Sequence, residues 1–432
     1  MTERDAAIWG GALRVARTLE ASGHKAYLVG GCVRDRFLGR PLHDADIATS
    51  ARPEQVMALF PDAIPTGLRH GTVSVRMDGR LYEVTTFRVE GGYSDARHPD
   101  HVAFVEDIEA DLARRDFTVN AMAVGTDGEV IDPFGGRADL AAGVVRCVGP
   151  AEERFREDAL RMLRAIRFAA ELGFRLLPSV WKAIRRQRER LRLVAMERIA
   201  AELDRMTKGR DPDCAWALLV RSGLAASFAE PLPALPGRDR LAKVRLAAVG
   251  EGELRWPLLW IAGGADEADA EAAARSLRMS RARAERWRRV VGLHRQVAPH
   301  LMAAAPGSPG LSAESGRGGG GEFESARDAW VTAVVTCGRP AAADWLALAP
   351  GLGDAWEACV SQAAQWLRDM PVAAVAELAV RGDELAAYLG RSPGPWVGEL
   401  LRKLLADAAA GRVPNERDAL LDRAVRHTEK EG

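Results

Sequence analysis

The sequence predicts an α+β protein, in which a small head with a mixed β-sheet is followed by an all-helical remainder. Before residue 150, short β-rich segments recur between turn residues, namely AYLVG (26–30), ADIAT (45–49), TVSVRM (72–77), LYEVTTFRV (81–89) and AMAVGT (121–126). After residue 150, nearly every segment has apolar residues at helical spacing, as in RFREDALRMLRAIRFAAEL and VWKAIRRQRERL. This change of pattern predicts the two parts.

Composition sets broad limits on the class of protein. The chain has 432 residues, of which 47% are hydrophobic and 28% charged, as in ordinary globular proteins. Its length is enough for roughly two to four domains. Lys plus Arg equals Asp plus Glu at 60 each, so net charge argues neither for nor against a polyanionic partner.

The sequence predicts a cytoplasmic protein that does not enter a membrane. The first residues, MTERDAAIWGG, lack the apolar core of a signal peptide, and no apolar run is long enough to span a bilayer. The five cysteines are scattered, without a CxxC pair or zinc spacing. We therefore expect reduced cysteines in the core.

One segment interrupts the helical half. AAAPGSPGLSAESGRGGGGEFES (303–325) is rich in Gly, Ser, Ala and Pro and has no core-forming pattern, so it reads as a linker or a disordered loop. It divides a helical body (207–302) from a helical tail (326–432).

Basic residues are concentrated in two helical regions. Residues 151–210 contain 16 Lys and Arg against 9 Asp and Glu, and RSLRMSRARAERWRRVVGLHR (275–295) is also strongly basic. Either cluster alone is most simply a solvated helix face. Together, beside a motif for polyphosphate chemistry, they favour a nucleic-acid partner.

A pair of glycines marks the first candidate site. Gly30 and Gly31 follow an apolar strand and precede VRDRFLG, which has the character of a helix start. Backbone N–H groups and the helix dipole at such a junction can bind a triphosphate, and Arg34, one turn later, can reach the same phosphates. The structural alternative is a simple tight turn.

Paired carboxylates follow closely. Asp44 and Asp46 occupy positions i and i+2 of a predicted strand and therefore point to the same face. Hard cations such as Mg²⁺ take oxygen ligands, so this pair is a candidate metal site, and Glu83 on a predicted neighbouring strand is a candidate third acid for a two-metal centre. A DxD pattern alone is common in loops and helix caps.

The motifs in combination resemble a known family. GGCVRD followed by DAD resembles the catalytic motif of the nucleotidyltransferase superfamily, in its tRNA nucleotidyltransferase and poly(A) polymerase branch. RRDFTVNAMA (114–123), DPFGGRADL (132–140), RFREDALRMLRAIRFAAELGF (154–174) and ERIAAEL (197–203) then resemble, in order, motifs of the class II (bacterial) CCA-adding enzymes. ELAVRGDEL (377–385) and GPWVGELL (394–401) extend the likeness to the tail. The resemblance implies a nucleotidyltransferase head (1–148), a neck that recognises the base (149–206), and a body and tail that bind tRNA.

The neck carries the implied base-recognition residues. Asp158, Arg161, Arg164 and Arg167 recur every third residue of one predicted helix, where a run of salt bridges is the structural alternative. Cytosine and adenine both show an amino donor beside a ring-nitrogen acceptor, which a carboxylate with a guanidinium complements. By resemblance, Asp158 and Arg161 therefore select C and A, while Arg164 and Arg167 contact phosphate or base.

Two further features are implied by the resemblance. Arg115 contacts the triphosphate and Asp116 the ribose hydroxyls, although a surface charge pair before Phe117 is the alternative. VEGGYSDARHPDHVAFVED (89–107) corresponds to a flexible loop that lets one pocket change from C to A.

The resemblance implies an enzyme that adds the 3′-terminal CCA of tRNA from CTP and ATP, with Mg²⁺ as cofactor and pyrophosphate as leaving group. A homodimer is only a family expectation. An A-adding enzyme and a poly(A) polymerase remain alternatives of the same class, and a non-catalytic tRNA-binding module is one of another class.

Overall fold

The computed structural model describes residues 2–91, 101–304 and 319–429. The chain divides into two compact units. The first comprises Met1–Met206 and Cys214–Pro231, and the second comprises Thr207–Asp213 and Leu232–Gly432.

The first unit contains all of the described strands. Their bounds are β1 Ala26–Val29, β2 Asp46–Thr49, β3 Ile64–Gly67, β4 Thr72–Met77, β5 Arg80–Thr86, β6 Arg88–Gly91, β7 His101–Phe104, β8 Ala123–Val124, β9 Val130–Ile131, β10 Val144–Val145 and β11 Arg175–Leu176. Its helices are α1 Glu3–Ala21, α2 Gly31–Phe37, α3 Pro53–Leu59, α4 Ile108–Ala113, α5 Gly136–Ala142, α6 Ala151–Glu157, α7 Arg161–Leu172, α8 Pro178–Gln187, α9 Met196–Lys208, which ends in the second unit, and α10 Pro212–Ser222, which begins there.

The second unit is helical throughout its described residues. The helices are α11 Arg238–Leu241, α12 Arg255–Gly263, α13 Glu267–Ser276, α14 Arg281–Ala303, α15 Gly319–Cys337, α16 Arg339–Leu348, α17 Glu357–Asp369, α18 Gly382–Tyr388, α19 Pro395–Ala409 and α20 Arg417–Glu429. Stacked indole rings of Trp256, Trp260 and Trp287 form part of its core, with ring centroids 5.2–5.8 Å apart.

The head is built on a seven-stranded mixed sheet with the strand order β3-β4-β5-β2-β1-β8-β9. β1 and β2 are antiparallel, whereas β2 and β5 are parallel. α1 packs against β1, β2 and β4, while Val29 and Ala48 pack with Ile108 and Leu112 of α4. This architecture confirms the predicted α+β class, a mixed-sheet head followed by helices.

The sheet register positions the site. Val29, the last residue of β1, lies opposite Asp46, the first residue of β2, so the Gly30–Gly31 junction comes directly beside that aspartate. In the parallel pair, Ile47 lies opposite Val84, which brings Glu83 of β5 next to Asp46 as well. Three short stretches that are separate in sequence therefore meet at the start of β2.

The structure adds one detail to the predicted β-rich segments and differs from two sequence predictions. LYEVTTFRV belongs to two strands, because the chain breaks at the buried Phe87 and β6 pairs with β7 in a separate sheet. Asp44 precedes β2, so it does not share a strand with Asp46. The predicted linker at 303–325 overlaps the end of α14 and the start of α15, and its residues 305–318 lie outside the described part of the chain.

The described residues also bear on the predictions about membrane spans, the cysteines and the loop at 89–107. None of the helices in the described ranges is both long and apolar enough to cross a membrane. Cys32, Cys147, Cys337 and Cys359 are buried, as expected for core residues. Of the predicted loop at 89–107, the two ends form the antiparallel pair β6 and β7, and residues 92–100 lie outside the described residues.

Candidate active site

A cavity of about 530 Å³ opens in the first unit where the sheet meets the helices that follow it. It is lined by every predicted site residue except Glu83. The lining residues are Gly30, Gly31, Arg34, Asp44, Asp46, Arg114, Arg115, Asp116, Asn120, Asp158, Leu160, Arg161, Arg164, Arg167, Phe168, Glu171 and Arg198.

The glycine junction forms one wall of this cavity. Gly30 has φ +78°, which only glycine adopts readily at the ψ of −132° found here. A Cβ at this position would lie 3.0 Å from Nη1 of Arg115. Gly31 then begins α2, so the N-terminus of this short helix faces the cavity together with the guanidinium of Arg115.

Carboxylates crowd around Asp46. Burial raises the pKa of Asp46, and the neighbouring charges of Asp44 and Glu83 raise it further to about 6, while Arg115 opposes them. Glu83 is exposed on the adjacent strand and lies outside the cavity lining. The negative charge gathered at this point favours a bound cation.

The donor set fits a hard divalent cation only in part. Within residues 2–91, 101–304 and 319–429, no three His, Cys, Asp or Glu side chains are arranged to hold a metal ion. Asp44 and Asp46 nevertheless supply two carboxylates to the cavity wall, and Mg²⁺ commonly takes only one or two protein carboxylates together with substrate phosphates. The pair therefore fits a cation that is shared with a phosphate-bearing substrate.

Arg34 is fixed from two sides. Its guanidinium donates to both carboxylate oxygens of Asp35 at 3.0 and 2.9 Å, and its Nη1 donates to Oδ1 of Asn120 at 2.6 Å. The side chain is buried and its guanidinium lies 5.2 Å from the ring centroid of Phe168. This arrangement holds a permanent cation at the cavity wall.

Asp116 is the most strongly engaged carboxylate of the cavity. Burial by itself would raise its pKa, but Arg164 and Arg161 lower it to about 2. Its Oδ1 accepts from the backbone of Phe117 at 2.8 Å and from Asn120 at 3.2 Å, and its Oδ2 lies 2.8 and 2.6 Å from Nε and Nη2 of Arg164. A carboxylate has about four acceptor positions, so a ribose hydroxyl can bind Asp116 only by displacing one of these donors.

The prediction of one continuous helix through EDALRMLRAIRF is wrong. α6 ends at Glu157 and α7 begins at Arg161, with Asp158 in extended backbone between them. The Asp158 side chain accepts from the backbone N–H of Leu160 at 3.0 Å, a local bond that competes with helix continuation. Because of this break, Asp158 lines the cavity from the segment between the two helices, whereas the arginines line it from α7.

The two implied base-recognition residues have separate partners. Asp158 forms a two-point ion pair with Arg198 of α9, at 3.2 and 2.7 Å. Arg161 donates to Glu157 at 2.7 Å and to the backbone carbonyl of Arg114 at 3.0 Å. Each side chain is thus oriented at the cavity wall by a contact of its own.

A buried carboxylate on α9 organises the remaining arginines of α7. Glu202 accepts from Arg167 at 2.7 Å, lies 3.8 Å from Arg164, and is almost completely buried. Arg167 also contacts Glu171 at 2.8 Å and lies over the ring of Phe168, 4.1 Å from its centroid. These contacts hold both arginines in fixed positions.

Sequence reasoning missed several members of the site. Asn120, Phe168 and Arg198 line the cavity, and Glu202 stands behind it. Asn120 lies within RRDFTVNAMA, Phe168 within the α7 motif, and Arg198 with Glu202 within ERIAAEL. Their presence in ordered motifs was the available signal, but nothing in the spacing of these motifs indicates which side chains meet.

Comparisons with known proteins agree with this geometry. Residues 26–146 match the poly(A) polymerase head domain, residues 173–235 an RNA and SrmB-binding site of polymerase A, and residues 348–424 the tRNA nucleotidyltransferase domain 2. The CCA-adding enzyme of Geobacillus stearothermophilus is 38% identical over 95% of both chains, and that of Lactiplantibacillus plantarum is 37% identical over 94% of both.

Solved structures give the same result. The crystal structure of the Bacillus stearothermophilus CCA-adding enzyme in complex with CTP is 32% identical, with a TM-score of 0.79 over 100% of this chain and 99% of that one. The Thermotoga maritima CCA-adding enzyme complexed with tRNA shares the fold, with a TM-score of 0.67 at 18% identity. With matched motifs, cavity and nearly full-length relatives at this identity, the chain belongs to the family of CCA-adding enzymes.

Proposed function

We propose that this protein adds the 3′-terminal CCA to tRNA, using CTP and ATP without a nucleic-acid template. The observation that carries the proposal is the cavity itself, which combines a glycine junction for phosphate, a pair of carboxylates, and the separately oriented Asp158 and Arg161. Relatives named as CCA-adding enzymes, one of them solved with CTP, support the same substrates.

The triphosphate of the incoming nucleotide binds at the glycine junction. N–H groups at the start of α2 and the cations of Arg34 and Arg115 face this region, and all of them complement phosphate oxygens. Because Arg34 is already held by Asp35 and Asn120, it needs little reordering when it binds phosphate.

Asp44 and Asp46 would hold Mg²⁺, which would supply charge stabilisation for the attack of a tRNA 3′-hydroxyl on the α-phosphate and for the leaving pyrophosphate. The contribution of the protein is to place the two carboxylates together at the cavity wall, where Arg115 opposes the rise in the pKa of Asp46 that burial and the neighbouring carboxylates cause. Glu83 contributes negative charge from the neighbouring strand, and its role as a third ligand is part of the proposal.

The base is selected by hydrogen bonding to protein side chains. Asp158 accepts the amino hydrogens of C or A, and Arg161 donates to the adjacent ring nitrogen. Uracil and guanine present a carbonyl and an N–H at these positions, which leaves buried groups unpaired. Arg164 already occupies one oxygen of Asp116. Asp116 therefore contributes at the ribose mainly by orienting Arg164.

The helices that follow the head bind tRNA by shape and phosphate charge rather than by sequence. The match of residues 173–235 to an RNA-binding model supports an RNA contact for that part of the chain. In this proposal residues 1–148 are the catalytic head, 149–206 the neck, 207–302 the body and 326–432 the tail, and the reaction takes place in the cytoplasm, where tRNA and both nucleotides meet.

The test uses the purified full chain, Mg²⁺ and a tRNA transcript that ends at the discriminator base. CTP and ATP are supplied separately and together, and the 3′ ends are sequenced. Addition of two C residues with CTP alone, and a stop at CCA with both nucleotides, is the expected result. Activity should disappear when a chelator removes the divalent cation and return when Mg²⁺ is restored.

Two alternatives give different products in this test. The head domain model is shared with poly(A) polymerases, and long A tails on unrelated RNAs would support that function instead. Addition of A only to tRNA that already ends in CC would support an A-adding enzyme. A tRNA-binding module without catalysis would incorporate no nucleotide at all.

A further inference from the structure

We propose that Asp111 is a positioning residue. Its buried carboxylate orients Arg115 at the phosphate end of the cavity and Arg114, whose carbonyl contacts Arg161, at the base end, and it also contacts β6. The inference rests on the proposed nucleotidyl transfer and concerns how the cavity keeps its shape. Asp111 does not line the cavity.

The two oxygens of Asp111 are divided between consecutive arginines. Oδ1 lies 2.8 Å from Nη2 of Arg114, and Oδ2 lies 3.2 Å from Nη2 of Arg115. The Asp111 side chain is 1% exposed, so these charge-assisted contacts are shielded from solvent. Asp111 lies in the last turn of α4, where positions i+3 and i+4 bring both arginines back over it.

Through Arg115, the carboxylate fixes the cation at the phosphate end of the cavity. The other terminal nitrogen of Arg115, Nη1, contacts the carbonyl of Asn120 at 3.4 Å and faces the Cα of Gly30. With Nη2 held by Asp111, the guanidinium is oriented in the region between the glycine junction and Asp46.

Through Arg114, the same carboxylate reaches the base-recognition end. The backbone carbonyl of Arg114 accepts from Nη2 of Arg161 at 3.0 Å. A displacement of the turn that follows α4 would therefore move an acceptor on which Arg161 depends. The position of Arg115 at the phosphate end and that of Arg161 at the base end consequently both depend on Asp111.

A third contact connects Asp111 to β6. The backbone N–H of Arg88, the first residue of β6, donates to Oδ1 of Asp111 at 3.3 Å. β6 pairs with β7 and packs against α4. Asp111 therefore contacts β6 as well as the two arginines that it orients.

Asp111 is charged in this setting. Burial alone would raise its pKa, but Arg114 and Arg115 hold the pKa below its ordinary value. An Asn at this position would keep the shape and one acceptor oxygen but would leave two arginines without their shared counter-charge. The effect should appear in nucleotide binding and selection, and not only in stability.

The experiment measures KM and kcat for CTP and ATP, and misincorporation of UTP and GTP, in the full chain with Asp111→Asn and Asp111→Glu. Loss of a charge-assisted bond predicts KM for both nucleotides about tenfold higher in Asp111→Asn, with a smaller change in kcat and more misincorporation. Asp111→Glu keeps the charge on a longer side chain, so KM should rise by only about threefold.

Asp407→Asn is the matched control. Asp407 of α19 is also buried, with ion pairs to Arg412 and Arg423 and a hydrogen bond to His427, but it lies in the second unit. We expect this variant to lose thermal stability in the same way as Asp111→Asn, with KM for both nucleotides and misincorporation unchanged.

The outcomes distinguish the proposed function from the role of Asp111. Wild-type protein that adds no nucleotide to tRNA would contradict the proposed function. Wild-type activity together with unchanged nucleotide KM and fidelity in Asp111→Asn would overturn the role of Asp111. Should Asp111→Asn fail to fold, Asp111→Glu decides, because a KM equal to that of the wild type would overturn the role as well.

Discussion

Gly30 has a backbone conformation that favours glycine, and it lies next to the guanidinium of Arg115. A side chain at Gly30 is opposed by the positive φ of +78° and by Nη1 of Arg115, 3.0 Å from the Cβ that it would carry. We expect Gly30→Ala to destabilise the protein by about 1 to 3 kcal/mol through backbone strain, and to weaken nucleotide binding by displacing Arg115. Urea unfolding and KM for CTP measure the two effects.

Gly79 provides the control for that substitution. It also has a positive φ, of +75°, but nothing lies within 4 Å of an added Cβ. Gly79→Ala should therefore lose stability without a change in KM for CTP. Equal KM values in the two variants would contradict the placement of Arg115 at the phosphate site.

Asp158 carries the proposed selection of C and A. Replacement by Ala removes the acceptor for the amino group of the base, so discrimination against UTP and GTP should fall by roughly tenfold or more. Binding of tRNA should be nearly unchanged, because the side chain lies in the nucleotide cavity and pairs with Arg198. Competition between nucleotides, followed by 3′-end sequencing, measures the loss, and unchanged discrimination would refute the assignment.

Local patterns predicted cavity-lining residues that lie close together in sequence. Gly30, Gly31, Asp44 and Asp46 belong to short stretches whose chemistry is legible without a structure. Partners from distant stretches were not predictable, since Arg198 lies 40 residues from Asp158 and Glu202 lies 35 residues from Arg167. Arg198 and Glu202 both lie on α9, and the fold brings that helix next to Asp158 and Arg167.

At the scale of elements, the sequence predicted strands and helices more reliably than their breaks. Apolar periodicity continues through EDALRMLRAIRF, so it favoured one helix, while the side chain of Asp158 ends α6 by bonding to the backbone of Leu160. In the same way, LYEVTTFRV alternates like a single strand, but Phe87 bonds to Thr49 through its N–H and to Val105 through its carbonyl. In both cases a specific hydrogen bond overrides the local pattern.

His294 on α14 predicts a pH dependence of stability for the second unit. Burial lowers the pKa of its imidazole from 6.5 to about 4, and its Nδ1 accepts from Nε1 of Trp345 at 3.1 Å. Trp356 is the other aromatic neighbour, with a ring centroid 5.4 Å away. The folded state therefore favours neutral histidine, while the unfolded state gains a proton once the pH falls below 6.5.

Stability from this group is fully present above pH 6.5 and is lost as the pH falls toward 4. For a partly buried group, we expect His294 to cost the protein about 1 to 2 kcal/mol of unfolding free energy between pH 8 and pH 5. Urea unfolding of wild type and His294→Gln at both pH values measures this contribution. Identical pH dependence in the two proteins would contradict it.

At the scale of the whole molecule, the α+β class and the mixed sheet followed by helices were predictable from the change in periodicity near residue 150. The strand order was not predictable, because the sequence does not show that β2 pairs in parallel with β5 while β1 lies on its other side. That order brings Gly30 and Glu83 next to Asp46, the first residue of β2.

Asp46→Asn tests the proposal that this cavity adds CCA to tRNA. The substitution keeps the shape of the side chain but removes the charge proposed to hold Mg²⁺. Wild type and variant are incubated with a tRNA transcript that ends at the discriminator base, CTP, ATP and Mg²⁺, and the 3′ ends are sequenced. We expect CCA ends with the wild type and a loss of at least about a hundredfold in addition rate with the variant, which should still bind tRNA. Undiminished CCA addition by Asp46→Asn, or no CCA addition by the wild type, would contradict the proposal.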